Sequence, residues 1–88
     1  MTIYQVISYT VSTHSCAIND ALSKGHITQA IYFYNMVINY IDSNYQLGLI
    51  SDDAYSYFNR RLHLLAGQKL EIARLMRDMQ ILDKELIY

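Results

Sequence analysis

The sequence predicts an all-α protein: three helices in an antiparallel hairpin or bundle, the last of them long. Three observations carry this expectation. Apolar residues recur at steps of three and four through most of the 88 residues, no proline interrupts them, and a phrase that ends one helix and opens another occurs twice. Gly25-His26-Ile27-Thr28 is echoed by Gly48-Leu49-Ile50-Ser51, and in each copy a tyrosine, Tyr32 or Tyr55, follows four residues after the hydroxyl. Gly25 and Gly48 suit the left-handed conformation that closes a helix, where a β-carbon costs energy. Thr28 and Ser51 suit the N-cap of the next helix. Ile27 and Ile50 then fall before the cap and Tyr32 and Tyr55 on the first turn, the two positions that a hydrophobic staple joins. The expected helices are about 3–23, 29–44 and 52–87, in one domain covering 1–88.

In the first segment Ile3, Ile7, Val11, His14, Ile18 and Leu22 recur at helical spacing, and Thr2 with Gln5 reads as a capping box. Ile3, Gln5, Ile7, Tyr9 and Val11 also alternate as a strand would, so the stretch 2–11 leaves strand open as a second reading. The second segment is apolar nearly all round. Ala30, Ile31, Tyr34, Val37, Ile38, Ile41 and Tyr45 share one side, and Tyr32, Phe33, Met36 and Tyr40 occupy the other. A three-helix unit covers only one side, so the second side is expected to meet a partner.

The third segment opens on Asp52 and Asp53, whose charge suits the positive end of a helix. A seam of Phe58, Leu62, Leu65, Ile72, Met76, Met79, Leu82 and Leu86 follows, broken at Lys69 and Asp83. Gly67 is the one weak position, costing about 1 kcal/mol relative to Ala in a helix interior. It leaves two outcomes: a continuous helix whose C-terminal half overhangs, or a kink that returns that half as a fourth helix.

Composition narrows the functional classes. The chain is 52% hydrophobic and 17% charged, too apolar for disorder, and a net charge of −1 offers little to phosphates or anionic lipid. Only Asp20, Lys24 and Asp42 are charged in the first fifty residues, so that half is expected to be covered. No segment reads as a signal peptide or a membrane span. The lone Cys16 fits a reducing, cytoplasmic setting.

No constellation suggests catalysis or a cofactor. His14, Cys16 and His26 lack zinc-ligand spacing, and there is no phosphate loop or nucleophile elbow. Asp52 and Asp53 read as partners of the helix dipole. Arg60, Arg61, Arg74 and Arg77 could share a face, but Glu71 and Asp78 interleave with them, which favours a solvated surface over a nucleic-acid stripe. The nine tyrosines suit core and interface, because the ring is apolar and the hydroxyl tolerates water.

The expected function is therefore a small intracellular, non-enzymatic protein–protein interaction module: an adaptor, a modulator of a larger protein, or a small helical chaperone. It would form a homo-oligomer, with a dimer favoured, or bind a partner helix. Tyr32, Phe33, Met36 and Tyr40 are expected to form one surface, and Ile72, Met76, Met79, Leu82 and Leu86 the other. The alternative is a small dimeric DNA-binding regulator. With 2–11 as a strand, the order strand, helix, turn, helix resembles the ribbon-helix-helix family, which implies reading of the major groove by paired strands. Those positions here lack any Lys or Arg.

Overall fold

The structure, a computed structural model, describes residues 1–87, with side chains through Ile81. Helix α1 spans Ile3–Ser23, α2 Ile27–Gln46, α3 Asp52–Leu62 and α4 Gln68–Ile87, with a π-helical turn over His63–Gly67 joining the last two. No strand occurs among the described residues. The strand reading of 2–11, and the ribbon it would supply, are thereby corrected. Alternation there extends only to Val11, whereas the helical spacing continues and lines up Ile7, Val11, Ile18 and Ala21 as one buried stripe. The capping box forms: Gln5 N–H donates to Thr2 Oγ1 at 3.2 Å, and Thr2 N–H donates to Gln5 Oε1 at 2.9 Å.

Both glycines stand in the left-handed region, Gly25 at φ 76° and Gly48 at φ 74°. Each closes its helix with the same paired hydrogen bonds. His26 N–H reaches Ala21 O at 2.8 Å and Gly25 N–H reaches Leu22 O at 3.1 Å; Leu49 N–H reaches Asn44 O at 2.9 Å and Gly48 N–H reaches Tyr45 O at 3.0 Å.

The two phrases then diverge. Ser51 is the N-cap of α3, its hydroxyl accepting from Ala54 N–H at 3.2 Å. Thr28 is not a cap: α2 already begins at Ile27, and His26, whose carbonyl accepts from Ala30 N–H, stands at the N-cap without a side-chain bond. The isoleucines explain the difference. Ile50 is drawn into the core beside Ile7 and Phe58, and the extended chain that takes it there leaves Ser51 at the cap. Ile27 joins neither core cluster, so the helix starts at it. For the same reason α2 runs 27–46 rather than the expected 29–44.

The hairpin of α1 and α2 packs against one side of the long third rod. One cluster joins Ile7, Val11, Val37, Ile41, Ile50, Phe58 and Leu62; the other joins Ile18, Ala21, Ala30, Ala66 and Leu70. Tyr34 packs against both. Beyond Leu70, no residue described on α4 is fully buried.

Helix α3, the π turn and α4 form one continuous rod, with right-handed helical backbone at His63 and at Gln68. The fourth-helix outcome is therefore not realised. Gln68 N–H donates to His63 O, the five-residue closure of a π turn, which inserts one residue into the helix. The Asn19 side-chain amide on α1 donates to Leu65 O at 3.0 Å and so satisfies a carbonyl inside this turn. Gly67 serves close packing rather than a bend. A β-carbon there would lie 2.9 Å from Tyr34 Oη and 3.0 Å from His63 Nδ1.

The rod's 36 residues correspond to about 54 Å of helix, close to the 55 Å longest dimension of the molecule. The radius of gyration is 15.5 Å, against about 12 Å for a compact chain of this length.

Candidate interaction surface

The inserted residue gives the rod two apolar stripes on opposite sides. The inner one is Phe58, Leu62, Ala66 and Leu70, each at most 3% exposed. The outer one is Tyr57, Leu64, Ile72 and Met79, which are 55%, 60%, 58% and 62% exposed. Their spacing of seven, eight and seven keeps them in line only because the eight-residue step spans the π turn. At 100° per residue an undisturbed α-helix would have carried Ile72 round toward the hairpin. The expected seam running from Phe58 through Leu62 and Leu65 into Ile72, Met76 and Met79 is accordingly corrected: its first part faces inward and its second part faces outward. Leu75 and Met76, both more than half exposed, widen the outer stripe. Leu82 and Leu86 have side chains outside the described residues.

The surface expected on α2 is only partly available. Tyr32 and Met36 are exposed, Tyr32 lying against Phe33 with ring centroids 6.0 Å apart. Phe33 is half-buried against the second core cluster and Tyr40 against the first. Phe33 lines one groove between α1 and α2, and Met36 and Tyr40 line another.

Arg60 and Arg61 are exposed beside Tyr57 and Leu64, whereas Glu71 and Asp78, also exposed, line the groove between α2 and the rod together with Tyr34 and Leu70. Among the described residues the ion pairs are Lys24–Asp20 at 3.0 Å and Arg77–Asp78 at 3.8 Å, both exposed and weak. Arg77 is half-buried and follows the inner stripe, so the inserted residue separates Arg74 and Arg77 from Arg60 and Arg61, and no basic stripe forms.

At the other end of the molecule two tyrosine–aspartate pairs cross between α2 and α3. Tyr45 Oη donates to Asp52 Oδ1 and Tyr55 Oη donates to Asp42 Oδ1, each at 2.6 Å, and the two rings stack with centroids 4.2 Å apart. These hydrogen bonds hold both phenols above their ordinary pKa. Tyr34 is pushed up as well, first by burial and then by the nearby Glu71 carboxylate. Tyr34, His63, Gly67, Glu71 and Arg74 line an open groove of about 410 Å³ between α2 and the rod.

Cys16 is exposed on α1, the His14 ring lies 3.0 Å from Thr10 O, and His26 stands in the α1–α2 turn, where its backbone pairs with Ala21 and Ala30. Among the described residues no group of His, Cys, Asp and Glu is arranged to hold a metal, and no helix is long and apolar enough to cross a membrane.

The sequence reading missed Tyr57 and Leu64 as surface residues, the tyrosine–aspartate clasp, and Asn19. The break of the seam at Lys69 was the available signal for the first: a seam that misses one beat and resumes is what one inserted residue leaves behind. No known family, curated protein or solved structure matches this chain.

Proposed function

We propose that this chain is a non-enzymatic protein–protein interaction module that binds another helix through the outer stripe of its long rod. One observation carries the reading: four large apolar side chains in line, each more than half exposed, stand on a helix whose opposite side is already committed to the core. An isolated exposed leucine needs no explanation, but a continuous stripe of this kind marks a contact surface. The accessible surface supports the same reading. It is 6239 Å² for a 10.3 kDa chain, against about 5,400 Å² for a compact monomer of that mass.

Met76 and Met79 are unbranched and adapt to a facing groove, and Tyr32 and Met36 on α2 offer a second, smaller contact. An adaptor, a modulator of a larger protein and a small helical chaperone all use such a surface. The exposed thiol of Cys16 fits a reducing, cytoplasmic setting.

The test is affinity capture from the source cell together with sedimentation, comparing the native chain with Met76→Glu/Met79→Glu. These side chains are exposed, so the double variant is expected to keep its helicity and lose its assembly or partner. A native chain that neither assembles nor captures anything the double variant fails to capture would end the reading.

A further inference from the structure

Independently of what the rod binds, we propose that Tyr45 and Tyr55 form an oxidative modification site, where a one-electron oxidant joins the two rings into a dityrosine that ties α2 to α3. Three features of the pair carry this. Each phenol already donates to a carboxylate, Tyr45 Oη to Asp52 Oδ1 and Tyr55 Oη to Asp42 Oδ1, both at 2.6 Å. The rings stack, with centroids 4.2 Å apart and planes inclined by 23°. Tyr45 is 37% exposed, so a small oxidant reaches the pair.

A phenol that loses an electron alone becomes a strongly acidic radical cation, so its oxidation is easiest where a base stands ready to take the proton in the same event. Among the described residues only Tyr45 and Tyr55 donate their hydroxyls to carboxylates. Tyr9, Tyr32 and Tyr57 are more exposed, at 71%, 62% and 55%, but lack that base. Both paired phenols hold their protons above the ordinary pKa, so the facing aspartate, rather than prior ionisation, is the route by which the proton leaves. The stacking supplies the second requirement. Two radicals must meet to couple, and rings held at contact replace a diffusional encounter by an intramolecular one.

In the step itself each phenol passes one electron to the oxidant and its proton to the facing aspartate. The two phenoxyl radicals then form a carbon–carbon bond between ring positions ortho to the hydroxyls. Each of those carbons releases its hydrogen to water as a proton, and each oxygen regains a proton from its aspartate. Two equivalents of oxidant are reduced, and the chain loses two electrons and two protons.

The test oxidises the full chain at low concentration with photogenerated tris(bipyridine)ruthenium(III), persulfate being the terminal acceptor, and reads dityrosine fluorescence, intact mass and peptide maps. The expected product is a monomer lighter by two hydrogen atoms, with Tyr45 joined to Tyr55, and it should form more slowly in heavy water. Asp42→Asn/Asp52→Asn keeps an acceptor oxygen at each site and removes the base. With circular dichroism showing that it folds, this variant should form the link at least about tenfold more slowly. Links confined to Tyr9, Tyr32 or Tyr57 would overturn the proposal, because exposure alone would then select the site. A Tyr45–Tyr55 link that forms as fast in heavy water as in light water, or as fast in the folded double variant as in the native chain, would overturn the part given to the carboxylates. The peptide map and the solvent comparison use the native chain, so they decide the matter even if the variant does not fold.

Discussion

Leu62 and Leu64 lie two residues apart on the same helix; one is fully buried and the other is 60% exposed. Around them the inner stripe of the rod and its outer stripe are nearly equal in apolar character. The inner one is core because α1 and α2 lie on it, and the outer one has no such cover among the described residues. The difference teaches that helical periodicity establishes how many apolar faces a helix has, whereas the neighbouring elements decide which face becomes core.

The largest contrast should come from truncating the two leucines. Leu62→Ala leaves a cavity among Val11, Val37, Ile41 and Phe58 and is expected to cost about 2–5 kcal/mol in denaturant unfolding. Leu64→Ala should change monomer stability by less than about 0.5 kcal/mol while weakening assembly. Equal losses from the two substitutions would erase the distinction between the stripes.

An intermediate effect is expected from Asn19→Ala, which removes the part-buried hydrogen bond to Leu65 O. Loss of such a bond costs about 0.5–1.5 kcal/mol. Because the same bond secures the turn that aligns the outer stripe, self-association should fall as well, even though Asn19 is on the opposite side of the rod. A loss of stability with assembly unchanged would separate the turn from the surface.

The smallest contrast is in alkaline titration. Tyr34, Tyr45 and Tyr55 have folded pKa values raised above the ordinary phenol value of 10.0. A raised folded pKa means that the proton is held more tightly in the native state. Their contribution is therefore complete below about pH 10 and is lost as pH rises through the folded values. Unfolding followed by circular dichroism should show native stability declining in that window, and Tyr45→Phe/Tyr55→Phe should flatten the decline. An identical decline in the double variant would assign it to other groups.

Much of the fold was legible because its signals are local. The capping box at Thr2 and Gln5 and the left-handed turns at Gly25 and Gly48 each depend on a few adjacent residues. Thr28 was misread because whether a hydroxyl caps a helix depends on where the preceding isoleucine packs, and that is a tertiary fact. The π turn was hidden for a related reason: it is satisfied by Asn19, 46 positions away from Leu65. With the turn unseen, the register of every residue after it was off by one, so Ile72, Met76 and Met79 were assigned to one seam with Phe58 and Leu62. The clasp of Tyr45 with Asp52 and Tyr55 with Asp42 went unread because a tyrosine near an aspartate in sequence does not reveal which pairs meet across a turn.

Backbone amide hydrogen exchange at several protein concentrations tests the central claim most directly. If the outer stripe is covered by self-association, exchange over 72–81 should slow as concentration rises, while amides around Ile7, Ile41 and Leu62 keep the same protection throughout. Exchange over 72–81 that is indifferent to concentration would contradict the account.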